Sequence, residues 1–330
     1  MMRLNISNLI IHMDLSGLKP KLCQELAEMF SPFISNNRYS PHETLDVVPL
    51  KTRIGKHPHP DLVEFVRQSL KVPLSKFPFT SDLKKETGKT LKRTKRFLGH
   101  AELKDLLNGS KCPEEIVFYP FKMSCLIQKK SSAKSTLFLK AGCRTRTKLA
   151  SIYGAAYFTA CTALPLLAGI MLHGVGIKRK GAGCLFLGLS GDGKTTLAGL
   201  SEPERVISDD AVIVEKKGSS YFLIPTPFDQ LSFSDQDIRK SPSGRTKLSI
   251  GFFLEKDTGV YLEKVSPVDS CSFILKNHIH FFRYFSPEIV ERAFYLVTDL
   301  CRQIPFYRLH FKKDPSFWPL IEEELSKIQE

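Results

Sequence analysis

No two of the eight cysteines, at positions 23, 112, 125, 143, 161, 184, 271 and 301, form a C-x-x-C pair. Eight thiols across 330 residues are too sparse for a disulfide-rich scaffold, so they read as free thiols in a reducing compartment. Residues 1–15 lack an A-x-A-like cleavage site and carry Asp14, so no secretory signal is expected. Internal repeats are absent, which argues against a solenoid. Wholesale disorder and collagen-like structure are excluded by 42% hydrophobic residues in a chain of 330, because ~300 residues bury about 75% of their unfolded surface. That length suggests two domains of roughly 150 residues each.

Acidic residues are missing altogether between Lys129 and Lys148, where seven basic residues stand. From Lys51 to Asp105 there are 14 basic and 6 acidic residues, so the net charge of +14 belongs to the N-terminal half. Such runs form either a solvated face or a docking surface for an acidic partner. Only Phe97 interrupts residues 83–107 as an aromatic, which argues against a stacking platform for single-stranded nucleic acid. Charge of both signs is then absent from Leu149 to Ile177. That stretch is long enough to span a bilayer. Yet its Ser, Thr, Pro165 and His173 and its Gly and Ala fit a buried helix over 147–163 and a strand over 170–178. No transmembrane segment and a cytoplasmic location are expected.

The pattern predicts an α+β N-terminal domain over 1–145, with a basic insert at about 71–112, and a second domain over 146–330. In the first, strands fit 4–12, 44–50, 115–128 and 135–140, and helices fit the segments after Pro20 and over 61–70. In the second, the runs IMLHGVGI, AGCLFLG, RVISDDAVIV and SYFLI read as buried strands of one central sheet. Ser286 and Pro287 open a helix, Tyr307–Phe311 reads as a closing strand, and Ser316–Ile328 as a terminal helix.

Gly188-Leu-Ser190-Gly191-Asp192-Gly193-Lys194-Thr195 is a complete G-x-x-x-x-G-K-[ST] motif between an apolar strand and a helix-compatible segment. From average residue frequencies, a chance match in a chain of this length has a probability of roughly 0.01. The glycines let backbone N–H groups turn toward a phosphate, Lys194 neutralises it, and the Thr195 hydroxyl can ligate Mg²⁺. Asp192 is unusual, because a carboxylate beside phosphates is unfavourable unless it points outward or faces metal or substrate. Asp209-Asp210 follows Lys194 at a distance that leaves room for a very short helix. Paired carboxylates at a strand end suit Mg²⁺ binding and proton abstraction from a hydroxyl. His173 reads as a core histidine, unless antiparallel pairing with the phosphate-loop strand brings it near the phosphates.

The run HGVGIKRKGAGCLFLGLSGDGKTTLAGL, with VISDDAVIV and IPTPF after it, resembles the kinase domain of the HPr kinase/phosphorylase-like proteins, related in fold to the ATP-dependent phosphoenolpyruvate carboxykinases. The resemblance is strong over His173–Phe228 and weaker to Leu309. It implies an α/β fold with a P-loop mixed sheet and flanking helices, preceded by the smaller α+β domain. It implies nucleotide binding at Gly188, Ser190, Gly191, Asp192, Gly193, Lys194, Thr195 and Thr196, with Mg²⁺ on Thr195 and Asp209. Catalytic roles fall to Asp210, Lys194 and His173. The family's E-x-R-G-L-G motif has no counterpart after Pro227, so HPr is not the expected acceptor; Arg245 and Lys247 are candidate replacement phosphate contacts or solvated loop charges.

The function expected is transfer of the γ-phosphate of ATP, or another nucleoside triphosphate, to a Ser/Thr or other hydroxyl of a protein, peptide or small molecule. The alternatives are a nucleotide-binding regulatory module without turnover and a carboxykinase-like enzyme.

Overall fold

A computed structural model describes residues 2–6, 9–34, 43–49, 116–121, 124–129, 134–139, 143–201, 206–228, 244–282 and 285–329. The basic stretch over 51–105, the helix expected at 61–70 and the insert at 71–112 lie outside the described residues. The chain divides into two compact units, Met1–Leu4 with Ile10–Thr159, and Asn5–Leu9 with Ala160–Glu330.

The N-terminal sheet has six strands: β1 (Met2–Ile6), β2 (Leu9–Asp14), β3 (Glu43–Pro49), β4 (Ile116–Phe121), β5 (Ser124–Lys129) and β6 (Lys134–Leu139), in the order β1-β2-β3-β6-β5-β4. The single strand expected over 4–12 is two strands. Met2, Leu4 and Ile6 are buried at even positions, whereas Leu9, Ile11 and Met13 are buried at odd ones. A strand alternates with a fixed period of two, so that change of phase demands a break between them. The run over 115–128 is likewise divided into β4 and β5, paired antiparallel from Phe121↔Ser124 onward. Between β2 and β3, α1 (Pro20–Met29) starts with Pro20 in its first turn and buries Leu22 and Leu26.

α2 (Thr145–Ala163) follows, and a 3-10 turn carries it to Leu167. Among the described residues this helical stretch is long and apolar enough to cross a membrane, but 67% of its apolar window is buried within the chain. Burial of that extent is what a core helix shows.

The second sheet is mixed. Its strands are β7 (Gly169–Arg179), β8 (Ala182–Leu187), β9 (Val206–Ser208), β10 (Ala211–Lys217), β11 (Ser220–Ile224), β12 (Thr246–Lys256), β13 (Tyr261–Val265) and β14 (Phe306–Phe311). They run in the order β11-β10-β7-β8-β12-β14-β13, with β9 also on β7. β8, β12 and β14 are parallel neighbours, so their C-terminal ends share one edge of the sheet. β12 and β13 were not anticipated from the sequence, nor was α4 (Pro267–Asn277).

Helices cover both faces. Phe186, Ile250, Phe252 and Leu254 cluster with Leu197 and Ala198 of α3 (Lys194–Gly199) and with Trp318, Ile321 and Leu325 of α6 (Trp318–Gln329). Phe186 and Phe252 stack at 5.0 Å, and Trp318 meets Phe186 edge-on at 6.0 Å. Phe253, pointing the other way by strand alternation, packs on Phe273 of α4 at 4.8 Å. α5 (Pro287–Gln303), capped by Ser286, buries Ala293, Val297, Leu300 and Cys301. Burying each of these large apolar side chains stabilises the fold by about 1.5–3 kcal/mol. The sheet therefore gives a fixed frame for whatever its ends carry.

Candidate functional site

β8 is wholly buried and ends at Leu187, and the chain then turns sharply through Gly188–Gly193 into α3. Two positions of this turn demand glycine. Gly191 and Gly193 have φ of 97° and 101°, where a Cβ is strained. At Gly193 an added Cβ would also lie 2.9 Å from the Phe311 ring and 3.7 Å from Lys256 Cε. The loop thus lies against the ends of β12 and β14, whose last residues Lys256 and Phe311 are register partners.

Lys194 opens α3, is buried, and donates from Nζ to the loop carbonyls of Gly188 at 2.7 Å and Leu189 at 2.9 Å. Burial pushes its pKa down, while Asp210, Asp192 and Asp209 oppose that fall. All three carboxylates therefore act on one ammonium group. The Asp192 carboxylate turns back on its own loop, where its Oδ2 accepts the Leu189 N–H at 2.5 Å. Ser190 and Thr195 are exposed, and Thr196 is half-buried.

The Asp pair owes its position to an interrupted strand. β9 and β10 both pair antiparallel with β7, through Gly176↔Ser208 and Ala211↔His173. Residues 209 and 210 stand between these pairings as a break. Ser208 Oγ and Thr226 Oγ1 both donate to Ala211 O, closing the break, and Asp210 takes a φ of 74°. Asp209 is buried, whereas Asp210 keeps about a quarter of its side chain exposed, at 27%.

His173 faces Asp210 from β7. The antiparallel pairing of β7 with β8, ending at Gly174↔Leu187, sets it beside the start of the phosphate-loop motif. Its Nδ1 lies 3.1 Å from Asp210 Oδ1 and 3.0 Å from Asp210 O. Both partners accept, so Nδ1 carries the proton. Burial raises the Asp210 carboxyl, but the hydrogen bond and charge of His173, with His280 and Lys194, bring it below its ordinary value. A carboxylate in this setting is ionised at neutral pH and can accept a proton.

Two histidines and a lysine join these residues without having been singled out in the sequence. His280 meets the His173 ring edge-on at 5.0 Å, and His278 contacts the His173 backbone. Burial is the main cause that brings both histidines down to about 4. Lys256 reaches the loop from the end of β12. Beside it, Asp257 accepts from His310 Nδ1 at 3.0 Å and Tyr261 Oη at 3.1 Å, fixing the rim. The period-two spacing of His278 and His280 was a weak signal, and Lys256 closes the apolar run GFFLEK. Arg245 and Lys247 lie at the opposite end of the same strand. Arg245 donates to the buried Glu215 at 2.9 Å, and Lys247 pairs with Phe222 of β11.

Among the described residues, no group of three or more His, Cys, Asp or Glu forms a metal cage. Mg²⁺ seldom needs one, since it usually binds through one or two carboxylates together with substrate phosphates and water. The hard oxygen donors of Asp209 and Thr195 suit such an ion.

A solved structure of the HPr(Ser) kinase/phosphatase from Coxiella burnetii is similar at 12% identity, over 48% of this chain and 93% of that one, with a TM-score of 0.26. So low a score lends no weight to fold or chemistry. No curated protein matches the chain. The family model described as SynChlorMet cassette protein ScmC matches residues 154–326, just over half of the sequence and the whole of the loop, Asp pair and histidine cluster. The chain belongs to the ScmC family.

Proposed function

We propose that this protein is a nucleoside-triphosphate-dependent phosphotransferase with a hydroxyl acceptor, an HPr-kinase-like P-loop enzyme using ATP and Mg²⁺. The observation that carries the reading is geometric: the 3.1 Å contact of His173 with Asp210 lies on β7 beside Gly174↔Leu187, where β8 passes into the loop that Lys194 closes through Gly188 O. Phosphoryl transfer asks a protein for little beyond positioning, charge stabilisation and a proton acceptor, and a buried lysine at a glycine loop beside a histidine-bound carboxylate supports that reading.

In this reading the Gly191–Thr196 backbone turns around the triphosphate, and Lys194 exchanges its loop carbonyls for phosphate oxygens. Lys256, beside Gly193, adds a second cation. Asp209 and Thr195 would hold Mg²⁺, which when bound neutralises charge on the phosphates. Asp210 accepts the proton of the attacking hydroxyl, while His173, donating through Nδ1, holds that carboxylate in place. A general base of this kind contributes about 10²–10⁴-fold.

The test is transfer of ³²P from [γ-³²P]ATP across peptide and metabolite pools by the full chain. Labelling of an acceptor, lost with Asp210→Asn, is expected. Nucleotide binding with neither labelling nor hydrolysis would instead mark a regulatory module, and the basic N-terminal stretch would then be the place to seek its acidic partner.

A further inference from the structure

β7 changes neighbours at His173. From Arg179 back to Gly174 it pairs with β8, and the last pair is Gly174↔Leu187. One residue later β8 leaves the sheet as the phosphate loop. The same departure that creates the loop leaves the adjoining β7 edge without a strand, and a buried backbone group with no partner costs about 1–3 kcal/mol.

The segment after α4 fills that edge. His173 N–H donates to His278 O at 2.8 Å, and His278 Nδ1 donates to His173 O at 3.1 Å. Leu172 and Ile279 form an antiparallel bridge beside them. An ordinary antiparallel neighbour would offer a backbone carbonyl and a backbone N–H; here the imidazole N–H replaces the amide. His278 is fully buried, with its ring near Phe273 at 5.2 Å and Phe253 at 6.4 Å, so its orientation is fixed by packing. A protonated Nδ1 agrees with the partner, since a carbonyl only accepts. Burial, which brings this histidine down to about 4, keeps the ring neutral.

We propose that His278 is a positioning residue for His173: it stands in for the strand lost to the phosphate loop and fixes the angle at which His173 meets Asp210. The inference rests on the reading of His173 and Asp210 as the proton-handling pair. The same segment also sets His280 edge-on to the His173 ring at 5.0 Å, so a shift of it would reach His173 by a second contact.

Full-length His278→Ala, His278→Gln and His278→Asn variants separate this from simple packing. Asn offers an amide N–H near the place of Nδ1–H, whereas Gln carries it one methylene farther out. Three quantities are read: Kd for Mg·ATP, release of ³²P-phosphate from [γ-³²P]ATP, and amide hydrogen exchange over residues 172–174. His278→Ala and His278→Gln are expected to lower turnover at least tenfold with Kd within about threefold, and to speed exchange of the His173 amide at least tenfold. His278→Asn should restore all of these to within about threefold. Should the Ala variant fail to fold, the Gln and Asn pair carries the comparison. Unchanged exchange in the Ala and Gln variants, or an Asn variant as impaired as they are, would overturn the proposal. Absence of turnover in the unmodified protein would instead count against phosphotransfer, and the exchange comparison with Asn rescue would still decide the role of His278.

Discussion

His173 Nδ1 donates to Asp210 Oδ1 across 3.1 Å, from a strand to a residue whose φ of 74° exists because β9 and β10 are interrupted there. The pair thus joins two neighbouring segments of the sheet beside the phosphate loop. If Asp210 is the proton acceptor, Asp210→Asn keeps nucleotide Kd within a few fold and lowers phosphate transfer by ~10²-fold or more. An equal loss in binding, measured by calorimetry with Mg·ATP, would make Asp210 a metal ligand instead.

The two ends of β12 make opposite predictions. Lys256 lies against the loop at Gly193, so Lys256→Ala should weaken Mg·ATP binding by about tenfold, in the range of a charge-assisted hydrogen bond, and lessen its salt dependence. Arg245 belongs to a structural ion pair with Glu215, which is 1% exposed. Arg245→Ala should leave nucleotide affinity unchanged but destabilise the fold by about 1–3 kcal/mol, the cost of a broken buried pair discounted for the part-exposed arginine. Equilibrium denaturation alongside calorimetry checks both.

The phosphate loop was legible because it carries a local signature: a fixed spacing, a strand before it and a short helix after it. The Asp pair was marked only by its place at the end of an apolar run, and His173 reads from the sequence as a core histidine unless antiparallel pairing with the loop strand moves it, a pairing that β7 and β8 make. Periodicity also located β7, β8, α2 and α5. Lys256, His278 and His280 were not legible, because their roles depend on pairings made far along the chain. Lys256 nears Gly193 only because β12 runs parallel to β8, and His278 is placed by a bridge to a residue more than a hundred positions earlier. In the sequence Arg245 and Lys247 fall in the region of the absent E-x-R-G-L-G motif, as candidate phosphate contacts or solvated loop charges. Strand direction puts them at the wrong end.

Acid should expose the histidine cluster. His278 and His280 are brought down to about 4 chiefly by burial, from the ordinary 6.5. Between those values the unfolded chain binds protons that the folded chain excludes. Stability is therefore full above pH 6.5 and falls as pH drops toward 4, by about 3 kcal/mol for a single histidine so displaced. Asp210 and Asp257, both below their ordinary values, add their loss only at lower pH. Urea midpoints at pH 7, 5.5 and 4.5 should show this fall, and His280→Asn should flatten it. An identical pH slope in that variant would contradict the assignment.

The proposed phosphotransfer requires that the loop from Gly188 to Thr195 hold a triphosphate through Lys194. Titration of Mg·ATP into the full chain and into Lys194→Ala, each checked for an unchanged unfolding transition, tests it most directly. Lys194 now donates to Gly188 O and Leu189 O, so its loss leaves the sheet intact while removing the buried cation. Saturable binding by the unmodified protein and at least a hundredfold weaker binding by the variant are expected. Equal affinity in the two proteins, or no binding by the unmodified chain, would contradict that requirement.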